Sequence, residues 1–354
     1  MVMMFPKTTQ VHRINGSVNA EQDFTQSMRE MMSMKANLLI TLSGLAVFPA
    51  VQAQMVDFDD YGPLRVYAQS PIQSINHSPL LRSGFSLPND QKEWYITANI
   101  GSIWSESDVL LADYYQNTVS GGIKWQMSDA LMLDVNYRWA FSADNHLDSL
   151  TMWFHDVFGF DQNGRQDQAK HQNQIHSDEY DIHIDDLSGE TLENALTAYL
   201  GYQLLQNEHH GLSVGASLYY KAVDSGPFAE DSFAQSIQIN YSYKNGQHHV
   251  SSSFGVSFIE DTESISTNNY NSRFTTLGIG YEYRSGRHGW LAEIHRYEGL
   301  VSWDENFSDA SHEALLGYRY YLNSSAIEFT LVENFENMDN SADIAYTIGF
   351  RNRF

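Results

Sequence analysis

From residue 94 onward the chain alternates apolar and polar positions with a period of two. Trp94, Ile96, Ala98 and Ile100 face one way, and Tyr95, Thr97, Asn99 and Gly101 the other. Leu131, Leu133, Val135, Tyr137, Trp139 and Phe141 oppose Met132, Asp134, Asn136, Arg138 and Ala140. Such rows describe strands with a greasy side and a wet side. Further rows are Leu196–Leu204, Leu212–Tyr220, Ile237–Tyr243, Phe254–Phe258, Leu277–Tyr283, Leu316–Leu322 and Ile327–Leu331. Residues 110–127 are less regular and finish on Ile123, Trp125 and Met127, while 288–298 alternate with neither face wholly apolar. The last row sets Ile344, Tyr346, Ile348, Phe350 and Phe354 against Ala345, Thr347, Gly349, Arg351 and Arg353. Twelve strands are predicted.

The connections say which kind of sheet this is. Short turns at Ser128-Asp129, Asn207–His210, Asn245–Gln247, Ser285–Arg287 and Asn323–Ser325 alternate with longer loops. Asn-Gly and Ser-Gly are hairpin turn chemistry. Strict alternation of turn and loop is the layout of an outer-membrane barrel, with turns in the periplasm and loops outside. Eleven alternating residues in 131–141 match the ~9–11 that cross a bilayer as a tilted strand. A soluble sandwich shares the period, but its core would have to bury Asp134, Asn136, Arg138 and Arg351 without partners. In a barrel these four line the lumen. The expectation is an all-β transmembrane antiparallel barrel over 93–354, with a long extracellular loop at 143–193 and with Tyr and Trp clustered near strand ends, where amphipathic rings sit at the two interfaces.

The front of the chain reads differently. Residues 34–53 carry Lys35, an apolar run from Leu38 to Phe48 and a small-residue end at Ala53, a secretory signal. Residues 1–33 are patternless and are either an extension of that signal or a misassigned start. Residues 54–92 hold Pro63, Pro71, Pro79 and Pro88, which exclude a central strand or a long helix. This lead-in is expected in the periplasm or folded into the barrel mouth as a plug.

In the long loop, Leu147, Leu150, Trp153, Phe154 and Val157 fall at helical spacing and Gly159 is a natural stop. A short amphipathic helix over 146–158 is expected to pack that stripe into the barrel mouth. Asp148, Trp153, Phe154, His155, Phe158 and Arg165 are the candidate ligand or plug residues. An aromatic helix beside a polar lumen leans the cargo toward a hydrophobic or amphipathic solute. Ser149 with His155 would suit a lipid hydrolase if the imidazole reached the hydroxyl. The simpler reading has Asp148 and Arg165 tie the loop down while His155 packs.

Glu179, Asp181, His183 and Asp185 would share a face if 178–186 were extended, a candidate metal set that alternating charge on a solvated hairpin also explains. His209-His210 and His248-His249 lie in or beside turns and read as solvated.

Charge narrows the partners. The chain of 354 residues carries a formal charge of −24 and no cysteine, which excludes disulfides, thiol nucleophiles and Cys-type zinc sites and disfavours nucleic acid. The loops 222–233, 260–272, 299–311 and 336–343 hold three acids each and no Lys or Arg. Such a face suits divalent cations, Ca²⁺ among them, bridging to lipopolysaccharide phosphates, although solubility alone also explains it.

Gly62-Pro63-Leu64 and Gln69-Ser70-Pro71, with Leu147-Asp148-Ser149, Phe154-His155, Phe158-Gly159 and Arg165, resemble a family of bacterial outer-membrane barrel proteins known only as a domain of unknown function. The resemblance spans roughly 54–354 and implies fold and location, with no activity. The terminal Phe354 resembles the C-terminal signal by which the barrel-assembly machinery recognises its clients. The leading expectation is a monomeric outer-membrane barrel forming a narrow channel or binding site for a small solute. The alternatives are the hydrolase and a non-catalytic envelope protein with cation-binding loops.

Overall fold

A computed structural model describes residues 60–354 apart from 108, 159–164, 166–168, 261–269, 338–339 and 341. The signal 34–53, residues 1–33, Gly159 and most of the acidic loop 260–272 therefore lie outside the described residues.

Twelve antiparallel strands close into a barrel: β1 (Lys92–Glu106), β2 (Leu111–Gln126), β3 (Leu131–Phe141), β6 (Thr191–Gln206), β7 (His210–Val223), β8 (Glu230–Asn245), β9 (His248–Ile259), β10 (Arg273–Ser285), β11 (His288–Tyr297), β12 (Ser311–Tyr321), β13 (Ser325–Glu336) and β14 (Ala342–Arg353). Each pairs with its neighbour in sequence, and β1 closes the ring against β14 from Glu93↔Arg353 to Ile103↔Ala342. Closure leaves no unpaired edge among these strands. The backbone N–H of Phe354 donates to Lys92 O and that of Lys92 to Phe354 O, so first and last strands meet at the turn end. A two-stranded hairpin, β4 (Gln174–Ser177) and β5 (Ile182–Ile184), pairs with the loop end of β2.

The outward rows are those expected from the alternation. Ile96, Tyr137, Ile237, Ile279, Leu316, Phe329 and Ile348 are all exposed, and together with their neighbours they form a continuous apolar band around the wall. A band of that extent marks a surface meant for an apolar environment. At the turn end, His210, His248 and His288 bond Tyr241, Tyr281 and Tyr318 at 2.7–2.9 Å, a girdle of amphipathic rings. Among the described residues no helix is long and apolar enough to cross a membrane.

Several strands depart from a simple row: the loop ends of β1 and β2 are buried on both faces, Ile344 at the start of β14 is buried rather than outward, and β6 and β11 depart as well. In β6 the register slips between Gln203 and Leu205, so Leu205 takes the outward place expected for Leu204 and Gln206 turns in. In β11, the ambiguous stretch, Trp290, Ala292 and Ile294 face out while Leu291 faces in. Leu291 is apolar on the polar side because Leu64 and Val66 of the lead-in pack there, with Leu315, Val332 and Ala345.

Candidate functional site

The segment 60–88 runs through the barrel without forming a strand, and most of its residues are buried. Such a path is costly unless every backbone polar group finds a partner. Prolines reduce the number of donors to satisfy, and inward side chains of the wall supply the rest. At the turn end Arg353 donates to Asp60 O (2.6 Å), Arg319 to Gly62 O (2.7 Å) and Arg351 to Pro63 O (3.1 Å). Further in, Glu293 accepts from the N–H of Leu64 (2.8 Å) and Glu313 from that of Gln69 (2.7 Å). Arg138 donates to Asn76 O (3.0 Å) and Gln238 to Leu80 O (2.6 Å). The N–H groups of Arg82 and Gly84 reach the hydroxyls of Ser253 (3.0 Å) and Ser242 (2.9 Å). At Gly84 plug and wall backbones touch: a Cβ there would sit 2.3 Å from Gly211 O.

Side chains of the plug complete the grip. Asp134 accepts from Arg65 (3.1 Å), from Arg82 (2.7 Å) and from the Tyr95 hydroxyl (2.6 Å). The Arg65 guanidinium lies 3.5 Å over the Tyr95 ring and that of Arg82 3.8 Å over Tyr199. Tyr67 donates to Asn136 (2.6 Å), and Arg138 pairs with Glu193. Arg351 bridges Glu93 (2.7 Å) and Glu328 (3.3 Å). The four residues expected in the lumen thus face inward, and each holds the plug directly or through a neighbour. His77 bonds Ser236 (3.0 Å) and stacks on Tyr219; burial and the nearby Arg138 and Arg82 push its imidazole down to about 3, so it is neutral. Three cavities between plug and wall measure about 10, 20 and 40 Å³. Each holds a water or a few, and none would pass a sugar or an aromatic ring.

The loop end is latched by a second constellation. Helix α1 (Asp148–Phe158) begins at Asp148, which is fully buried. Its carboxylate takes Arg165 (2.7 Å), the Tyr115 hydroxyl (2.7 Å) and the N–H of His171 (2.7 Å), while Arg165 also pairs with Asp113. Burial alone would raise the Asp148 carboxyl, but the His171 N–H, the Tyr115 hydroxyl and Arg165 together hold it below the usual carboxylate range. His155 is buried and shares a 3.1 Å contact with Glu333. Burial presses its imidazole down, yet the bond to Glu333 and its charge carry the balance upward.

The helix sits the other way round from the expectation. Asp148, Thr151 and His155 form its buried face, whereas Leu150, Trp153 (58% exposed) and Val157 point away from the barrel. Buried acids and hydroxyls of the wall reward a polar face there, and that outweighs the apolar stripe. Phe154 is half-buried beside the His155 ring at 6.1 Å, and the Phe158 side chain is outside the described residues. The hydrophobic lean in cargo rested on an aromatic face toward the lumen, and that face is turned outward.

Ser149 and His155 do not meet. Six residues along a helix turn by about 240°, and Ser149 is exposed on the far side, bonded to Lys170 at 3.1 Å, while His155 is engaged with Glu333. Glu179 and Asp181 fall in the tight turn between β4 and β5, where Asp181 takes a φ of +52°, so 178–186 is not an extended row. Asp181 and His183 lie 3.8 Å apart, and Asp185 contacts His176 instead (3.3 Å). The residues missed from sequence are Arg65 and Arg82, the inward acids Glu93, Glu193, Glu293 and Glu313, and the pair Asp113 and Tyr115. Glu93, Glu193 and Glu313 stand on the polar parity of their strands and were legible there; Glu293 lies in the ambiguous β11, and Asp113 and Tyr115 lie in the irregular part of β2.

Comparison with known proteins now decides the family. The family described as "Protein of unknown function (DUF3187)" matches residues 39–354. The chain belongs to this family. No curated protein matches it. Among solved structures it is similar to an outer membrane channel from Pseudomonas putida F1, with a TM-score of 0.50 at 10% identity over 76% of this chain and 97% of that one. The KdgM porin aligns with a TM-score of 0.39 at 8% identity (73% and 99% of the chains). The translocator domain of the autotransporter NalP from Neisseria meningitidis aligns at 0.40 and 9% (75% and 89%). The Pseudomonas likeness shows a shared barrel fold. Gly62-Pro63, Asp148 and Arg165, which carried the family resemblance, all lie at the two latches.

Proposed function

We propose that this member of the family is an outer-membrane channel held shut by its own segment 60–88, and that it passes a small polar solute when that segment shifts. The observation that carries the reading is the hydrogen bonding and ion pairing of the plug to inward side chains all round the wall, with water-sized gaps between them and only local apolar contacts such as Leu64 and Val66 on Leu291. Hydrogen-bonded and ionic contacts can be exchanged for water in a lumen at small net cost, whereas a packed apolar plug could not leave so readily. The apolar outer band and the closed ring support placement in a membrane, and the fold shared with a bacterial outer membrane channel supports the outer one. Wall and plug present Arg, Asp, Glu, Asn and Ser to one another, which suits a polar or charged solute.

The test is conductance of refolded protein in a planar bilayer beside a variant lacking 60–88. A nearly silent full chain and steady channels from the variant are expected. Equal conductance in both, or silence from a variant shown to be folded, would sink the reading.

A further inference from the structure

Outside the lumen, three ligand groups of different origin converge on the loop-side surface. Asp144 and His146 lie just before α1, and His171 lies beyond it, 25 positions further along the chain than His146. His146 Nδ1 is 3.4 Å from His171 Nδ1. Asp144 Oδ2 is 3.2 Å from the first and 3.0 Å from the second. A tetrahedral ion with bonds of about 2.0–2.1 Å sets its ligand atoms about 3.3–3.4 Å apart. The triangle is therefore close to one face of such a tetrahedron, and the fourth direction opens to solvent, since all three residues are exposed.

The backbone is shaped for this convergence. Both histidines take left-handed conformations, φ +59° at His146 and +63° at His171, which a residue with a Cβ adopts only when its surroundings hold it. The holding groups are visible. The N–H of His146 donates to the other oxygen of Asp144 (2.8 Å), and the N–H of His171 donates to Asp148 (2.7 Å), itself clamped by Arg165 and Tyr115. Each ring uses Nδ1 toward the shared point, leaving Nε2 to carry its proton in water. Lys170, the adjacent cation, is directed to Ser149.

We propose that Asp144, His146 and His171 bind a divalent transition-metal ion of the Zn²⁺, Ni²⁺ or Cu²⁺ kind. Two imidazoles and one carboxylate select such ions over Ca²⁺ and Mg²⁺, which prefer oxygen ligands and higher coordination numbers. The net charge of −24 favours the approach of any divalent cation. The bound ion staples the two ends of the loop that carries α1, so its effect is read in the loop as well as in the ion.

The experiment uses untagged full-length protein folded in detergent, where the absence of cysteine removes thiol background. Zn²⁺ binding is measured by equilibrium dialysis, Co²⁺ by its visible absorption, and the loop by protease cleavage between 146 and 171. One ion per chain, a tetrahedral cobalt spectrum and protection of the loop by zinc are expected. His146→Ala and His171→Ala should each weaken binding more than about tenfold, the least that loss of even an outer partner of a metal site costs. His183→Ala, on the other exposed hairpin, should change nothing. Failure of the wild-type chain to bind zinc overturns the proposal. So does binding that survives His146→Ala with His171→Ala but disappears in His183→Ala, or cobalt displaced by an equal concentration of calcium.

Discussion

Asp134 offers the sharpest perturbation of the plug. It is buried in β3 and carries Arg65 at 3.1 Å and Arg82 at 2.7 Å, the two cations that 60–88 brings into the wall. Asp134→Asn keeps the shape and the Tyr95 contact but removes the charge. Breaking a buried ion pair from one side costs about 3–5 kcal/mol because the other charge is stranded. Here the low end applies, since the two guanidiniums keep the faces of Tyr95 and Tyr199. About 3 kcal/mol corresponds to roughly a hundredfold shift in an equilibrium. The strained groups belong to the plug, so the cheapest relief is for the plug to leave the lumen while the barrel hydrogen-bond ladders stay whole. Asp134→Asn should therefore raise the frequency of open events in a planar bilayer by about two orders of magnitude and expose 60–88 to protease, with the heat-modifiable migration of the barrel unchanged. A lower unfolding temperature with unchanged conductance and unchanged protection of 60–88 would refute the reasoning, because it would make the segment a fixed part of the core.

Three further outcomes are expected. Arg165→Ala strands Asp148 and Asp113, and should cost about 3–5 kcal/mol locally, seen as protease cleavage in α1 at protein concentrations where the barrel remains intact. His155, whose protonated form Glu333 favours, lends the α1 latch stability that is full below pH about 6.5 and fades as pH rises through its elevated folded value. Hydrogen exchange in α1 should accelerate across that rise, and His155→Gln should flatten the dependence. His77 has the opposite sign: neutral when folded down to about pH 3, it costs stability progressively as pH falls from 6.5 toward 3. His77→Gln should remove that part of the acid sensitivity in a melting series without changing the melting temperature slope above pH 7.

The alternation of apolar and polar residues by itself determined the twelve strands and which way most of them face; the spacing of turns and loops favoured a barrel, and the facing of 288–298 and the slip in β6 were left to the structure. That information is local: a side chain in a strand points one way or the other, and a wall with lipid outside and polar groups inside leaves only one register for each row. The same parity placed Asp134, Asn136, Arg138 and Arg351 inside. The prolines of the lead-in excluded a strand but not its destination. Where 60–88 goes is decided by acceptors and donors on β3, β8, β9, β11, β12 and β14, residues up to 293 positions away, and no local pattern encodes such pairings. The face of α1 was misread for the same reason. Its apolar stripe is the stronger local signal, yet Tyr115, Asp113 and Glu333 stand where the helix docks, and a buried charge-assisted network prevails over the burial of Leu150, Trp153 and Val157. Likewise His146 and His171 look unrelated in the chain and meet only because Asp148 and Arg165 fold the loop back upon itself.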